Sequence, residues 1–155
     1  MGILIDRTNA EDSRILDLVR LLDTELSEYD GDQHAFYDQF NQLHTIQYVV
    51  LLSGDDRPIS CGALRLYDDF SMEIKRMYTL QDERRKGYAK RVLQELENWT
   101  SEMGYTRCLL ETGSKQKEAV ALYQNLGYKQ IANYGPYKNV SNSICFEKKF
   151  LNGLR

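Results

Sequence analysis

The chain changes period half-way along. Residues 46–80 fall into short apolar runs separated by turn residues, whereas from Ala89 onward apolar residues recur at helical spacing. Between the two regimes stands a basic, glycine-containing hexapeptide, Arg84-Arg85-Lys86-Gly87-Tyr88-Ala89. A strand feeding directly into an amphipathic helix through such a loop restricts the fold to sheets carrying at least one crossover helix. Before the junction, 46–52 reads as a buried strand, Ser53 to Pro58 as turn chemistry, 59–67 as a second strand and 71–80 as a third. The connections are short enough for an antiparallel meander. After it, Ala89, Val92, Leu93, Leu96 and Met103 mark a helix that Gly104 stops. A strand at 107–111 follows, then a helix at 115–126 with Ser114 as its N-cap. Gly127 ends that helix, and strands at 128–132 and 143–150 complete the order.

This order predicts an α/β (α+β) domain: a mixed, mostly antiparallel sheet with one parallel element, flanked by helices. Upstream, Thr8-Asn9-Ala10-Glu11 has the form of a capping box, and Ile15, Leu16, Val19, Leu22 and Leu26 follow at helical spacing. A shorter helix is expected over 33–42. The 155 residues contain no linker and no internal repeat, so the whole of 1–155 is taken as one domain.

The junction loop has its own chemistry. A helix N-terminus offers unpaired N–H groups and the positive end of the helix dipole. Gly87 permits close approach of a ligand to the backbone, and Arg84, Arg85 and Lys86 add cations suited to phosphate oxygens. The surrounding charge agrees: residues 71–155 carry nine acidic and 15 basic side chains, against 14 and five in residues 1–70. The pattern points to a pyrophosphate cradle. With a pI of about 5.4, the domain lacks the overall basic tilt of a nucleic-acid surface.

No run approaches the ~20 apolar residues of a membrane span, and Met1 to Ala10 lacks the apolar centre of a signal peptide. Cys61, Cys108 and Cys145 are far apart, each inside an apolar run. They read as buried free thiols of a cytoplasmic protein, with no metal site.

Arg84-x-x-Gly87-x-Ala89 resembles the Q/R-x-x-G-x-G/A signature of the GNAT (GCN5-related) N-acetyltransferase superfamily. Met77-Tyr78-Thr79 is similar to the family's splayed fourth-strand segment. Ala119 to Gly127, followed by Tyr128, resembles its helix, tyrosine and "LGY/F" stretch. The likeness spans nearly the whole chain. Three positions depart from the pattern: Gln81 replaces a common proline, Gln116 a common asparagine, and Ala89 the second glycine. Gln116 leaves one coenzyme contact in question.

The resemblance implies a sheet splayed at its middle and acetyl-coenzyme A as co-substrate. The pyrophosphate would rest on the backbone of Arg85, Lys86, Gly87, Tyr88 and Ala89. The pantetheine would pair with Met77, Tyr78 and Thr79, and Gln116 would add a contact. The Met77 N–H would polarise the thioester oxygen. Tyr123 would meet both the coenzyme and the departing thiolate as general acid, and an amine would attack directly, without a cysteine nucleophile. A core aromatic is the other reading of Tyr123. Glu73 is the candidate base, with a surface carboxylate as the alternative and Glu111 in reserve. Strict alternation would put Glu73, Lys75, Met77 and Thr79 on one face, with Ile74, Arg76 and Tyr78 on the other.

For the acceptor the candidate wall residues are Tyr29, Lys75, Glu111 and Tyr137. Six acidic residues between Asp23 and Asp38, interleaved with Tyr29, Phe36 and Tyr37, would suit a cationic amine, whereas Lys75 and Arg76 could hold a carboxylate. Tyr134-Gly135-Pro136-Tyr137 has the composition of a lid. The expected acceptor is a primary amine of a small molecule or peptide, and the resemblance admits a homodimer. A coenzyme A-binding regulator without turnover, or a longer-chain acyltransferase, would share these features.

Overall fold

In the computed structural model, residues 2–30 and 47–150 are described, apart from the side chains of Tyr29 and Asp30. The helix expected at 33–42 lies outside them. The elements are β1 (Ile3–Thr8), α1 (Leu16–Asp30), β2 (Tyr48–Gly54), β3 (Arg57–Asp68), β4 (Ser71–Thr79), α2 (Tyr88–Glu102), β5 (Arg107–Gly113), α3 (Lys117–Asn125), β6 (Lys129–Ile131) and β7 (Ser143–Lys149). The strands form one sheet in the order β1-β2-β3-β4-β5-β7-β6. Among the described residues only the β4–β5 pairing is parallel, bridged by α2; the other neighbours are antiparallel.

Both faces of the central sheet are covered, which is why β2 reads as a continuous apolar run rather than an alternating one. Val50, Leu52, Leu64 and Ile74 pack under Val92, Leu93 and Leu96 of α2. Val49, Leu51, Cys61 and Ala63 pack under Leu18 and Leu22 of α1.

The start of the chain departs from the sequence reading. Thr8 ends a strand instead of opening a helix. Its hydroxyl bonds the Asp12 carboxylate at 2.8 Å, and Asp12 is the residue that accepts the Arg14 N–H in a short 3-10 turn (Ser13–Ile15) before α1. Residues 3–8 fall in register with β2, and Arg7 ties this edge strand to Glu95 and Glu102 of α2. Ser114 likewise does not cap α3; Gln116 holds that position without a side-chain bond. Gly104 and Gly127 do follow their helices, at φ of 93° and 91°.

The decisive irregularity lies in β4. Pairing with β3 runs from Cys61↔Tyr78 to Ala63↔Lys75, so Gly62 alone stands opposite Arg76 and Met77. Arg76 takes the extra place, at a φ of 58°. The bulge overturns the alternation expected from sequence, because two consecutive residues now lean the same way. Ile74 and Met77 pack on the α2 side. Arg76 and Tyr78 turn to α1, where Arg76 bonds Asp23 and Tyr78 joins the α1 cluster. Glu73 and Lys75 alternate with Ile74, so they share the Arg76 face and not that of Met77.

Gly62 makes room for this. A Cβ there would lie 2.5 Å from Met77 Sδ, 2.8 Å from Leu96 Cδ1 and 3.0 Å from Val92 Cγ1. Gly62→Val is therefore expected to cost about 1–3 kcal/mol of stability through overpacking, and to move Met77. Urea denaturation gives the first effect and coenzyme titration the second.

Candidate active site

The parallel pair is short. β4 and β5 are in register only where Ser71, Met72 and Glu73 face Arg107, Cys108 and Leu109. Beyond that point β5 stays with β7 as far as Gly113. β4 instead continues with β3 through its bulge. The two strands diverge, and the wedge between them opens into two clefts. The larger, about 300 Å³, is walled by Met77, Tyr78 and Thr79 of β4, by the junction loop, and by Gln116, Ala119, Leu122 and Tyr123 at α3. The smaller, about 90 Å³, lies between residues 74–77 of β4 and 110–113 of β5, with Leu22 and Leu26 of α1 over it. Leu22, Met77, Gln116, Ala119 and Tyr123 belong to both, so the clefts meet there.

The junction loop leaves the N-terminus of α2 without a side-chain cap, and Gly87 sits at the N-cap with φ 85°. Apart from its chain neighbours, no described atom lies within 4 Å of where a Gly87 side chain would begin, so the backbone faces open space at the cleft wall. Arg85 also holds a left-handed backbone, φ 67°, with its side chain exposed. Arg84 is committed to the protein. Its Nε donates to the Thr79 carbonyl, its Nη2 pairs with Glu25, and its guanidinium stacks on the Tyr78 ring at 5.3 Å. It locks the loop onto β4 more than it offers a free cation. Lys86 lies outside the cleft wall and pairs with Glu83, which lines it together with Arg85, Tyr88, Ala89 and Lys90.

Tyr123 is buried at the junction of the clefts, its ring set edge-on to Tyr128 and near Phe146. Among the described residues nothing hydrogen-bonds its hydroxyl. Burial first, and Glu111 second, raise its pKa above the ordinary phenol value, so it keeps its proton at neutral pH. Cys61 and Cys108 are pushed up to about 12 and Cys145 to about 11, all by burial, so none is a ready thiolate.

Glu73 and Lys75 form a closed network on the other face. Tyr134 donates to Glu73 Oε2 at 2.6 Å, and Lys75 Nζ lies 3.6 Å from the same oxygen and donates to the Tyr137 hydroxyl at 2.9 Å. Tyr137 is 1% exposed, so the Tyr134–Tyr137 segment is a packed strap and not an open lid. Burial lowers the Lys75 pKa, against the pull of Glu73 and Glu111. Lys75 reaches the wall of the smaller cleft, whereas Glu73 and Tyr137 reach neither. Glu111 does line it, accepting a 2.7 Å bond from Ser143 Oγ. Tyr29 lies in the last turn of α1, with its side chain outside the described residues.

A strand splayed at a bulge beside an uncapped, glycine-led helix matches what the sequence resemblance implied. Residues 15–128 match the Acetyltransferase (GNAT) family. The chain belongs to that family. Membership places it among acyltransferases whose co-substrate is acetyl-coenzyme A. An uncharacterized N-acetyltransferase of Bacillus subtilis, YsnE, is 38% identical over 96 residues, 61% of this chain and 64% of its own length. An IAA acetyltransferase of Azospirillum brasilense is 28% identical over 151 residues, 91% of this chain and 96% of its own length. The crystal structure of a GNAT family acetyltransferase from Elizabethkingia anophelis with acetyl-CoA bound has the same fold: TM-score 0.71 at 18% identity, covering 96% of this chain and 98% of that one.

Within this GNAT domain, the sequence reading missed Leu22 and Glu25 of α1 and Glu83, Lys90, Glu118 and Leu122 as cleft walls. A glycine inside the apolar run 59–67 was the available signal for the bulge. Among the described residues no helix is long and apolar enough to cross a membrane, and no cluster of His, Cys, Asp and Glu could hold a metal.

The cradle gives a direct prediction. Gly87→Glu puts a carboxylate where phosphate charge is expected, on a backbone that favours glycine. The left-handed conformation costs the folded protein only ~1–2 kcal/mol, so the variant is expected to fold. Acetyl-coenzyme A affinity is expected to fall at least about tenfold. Gly87→Ala, with the same backbone cost and no charge, should lose much less; calorimetric titration separates the two.

Proposed function

We propose that this chain transfers the acetyl group of acetyl-coenzyme A to a primary amine of a small molecule or peptide by direct attack. The observation that carries the reading is the meeting of the two clefts at Met77 and Tyr123. The larger cleft, with its basic loop, suits the coenzyme, and the smaller one, with Glu111, suits the amine. In the reaction the amine nitrogen forms a bond to the thioester carbon and the carbon–sulfur bond breaks. The bulge at Arg76–Met77 interrupts the ladder, and the Met77 N–H would be the donor to the carbonyl oxygen as charge develops. Tyr123 delivers its proton to the leaving thiolate and regains one from solvent. One proton of the ammonium passes to Glu111 before attack and from there to solvent; the second leaves the nitrogen for solvent as the carbon–sulfur bond breaks.

The test is incubation of the purified protein with acetyl-coenzyme A and a panel of amino acids, polyamines and peptide N-termini. Thiol release and product mass are followed together. Expected is stoichiometric thiol and N-acetyl product with at least one acceptor. Tight coenzyme binding with no product from any amine would overturn the reading in favour of a coenzyme-binding regulator.

A further inference from the structure

Arg76 is an unusual residue to find at a bulge. A left-handed backbone is costly for a long side chain, and here it carries an arginine whose side chain is 5% exposed. Asp23 bonds only its Nη1. Its Nε is the single buried side-chain polar atom without a partner among the described residues. Nη2 likewise makes no hydrogen bond among them. Nε and Nη2 together form the edge of a guanidinium that accepts a carboxylate through two parallel bonds. A buried donor left unpaired costs free energy, and a bound anion on that edge would remove the cost.

The surroundings define the rest of the ligand. Arg76 and Glu111 both line the smaller cleft, from strands that have just parted. Leu22 and Leu26 of α1 supply an apolar wall. Lys75 is already held by Tyr137 and Glu73, which leaves Arg76 as the anion donor.

We infer that the acceptor is a free amino acid, its carboxylate held by the Nε–Nη2 edge of Arg76, its ammonium directed to Glu111 and an apolar side chain set against Leu22 and Leu26. The inference rests on the acetyl-transfer reading above and selects among its acceptors. A polyamine has no group for Arg76, and a peptide N-terminus carries an amide where the carboxylate should be.

The experiment compares leucine, leucinamide and isopentylamine as acceptors for the wild-type protein, with the Arg76→Gln and Arg76→Lys variants alongside. Expected is a kcat/KM for leucine on the order of 10²-fold above that for leucinamide, mostly through KM. The ratio should collapse toward one in Arg76→Gln and recover in part in Arg76→Lys. The wild-type series needs no variant to fold. Equal or better turnover of leucinamide or isopentylamine by the wild type would overturn the inference alone and leave acetyl transfer standing. Absence of product from all three, and from the wider amine panel, would overturn both.

Discussion

Tyr123→Phe is expected to lower kcat by roughly 10²–10⁴-fold, the usual contribution of one proton donor, while leaving the coenzyme Kd nearly unchanged. The ring should stay where it is, because its contacts are aromatic: centroids of Tyr128 and Phe146 lie 5.8 Å and 6.1 Å away. Only the hydroxyl is lost, and no described residue loses a hydrogen bond with it. Its purpose would be chemical. Without an acid, the thioester must expel a free thiolate into a partly apolar cleft. The pH dependence follows from the sign of the pKa shift. Burial holds Tyr123 above the ordinary phenol value, so the acid form persists through neutral and mildly alkaline pH. The wild type should show no alkaline loss from this group below about pH 10, the unperturbed value, and the variant's deficit should be constant from pH 7 to 9. Steady-state thiol release at saturating coenzyme measures both. A kcat within error of wild type would make Tyr123 a packing residue only.

The meander of β2, β3 and β4, the crossover helix α2 and the glycine stops at 104 and 127 were legible in the sequence because each has a local cause: a period, a turn or a left-handed glycine. Tyr123 and the 84–89 loop were legible for a different reason, since a motif fixes them relative to elements already found. The bulge was not. Strict alternation carried Met77 onto the Glu73 face, and one extra residue at Arg76 separated them. That residue exists because Gly62, on the neighbouring strand, leaves space for Met77. A cross-strand accommodation has no local signature beyond the glycine itself. β1 was hidden in a similar way. Thr8 and Glu11 fit a capping pattern, and pairing with β2 outweighed it.

The same displacement bears on the base, and it sets up the second large effect. Glu73 was the sequence candidate, chosen for its spacing from Met77. In the folded protein it lies under Tyr134, beside Lys75, and outside both clefts. Glu111 lines the cleft where the amine would arrive. Glu111→Gln is therefore expected to lower kcat/KM roughly 10²–10⁴-fold near neutral pH, with the fold retained because glutamine can still accept from Ser143. Its pH signature distinguishes a base from a binding group. The ammonium of a free amino acid is more basic than the ~8 of a peptide α-amino group, so the free-amine fraction rises about tenfold per pH unit from 7 to 9, and the loss should shrink over that interval. Glu73→Gln should behave otherwise. It removes the carboxylate that opposes the burial penalty on Lys75, so it should lower Tm and weaken the strap, with kcat changed less than about tenfold. Measuring both pH–rate profiles decides between the two carboxylates. A pH-rescued loss in Glu73→Gln, with Glu111→Gln parallel to wild type, would return the role of base to Glu73, acting through Lys75 from the far side of the wedge.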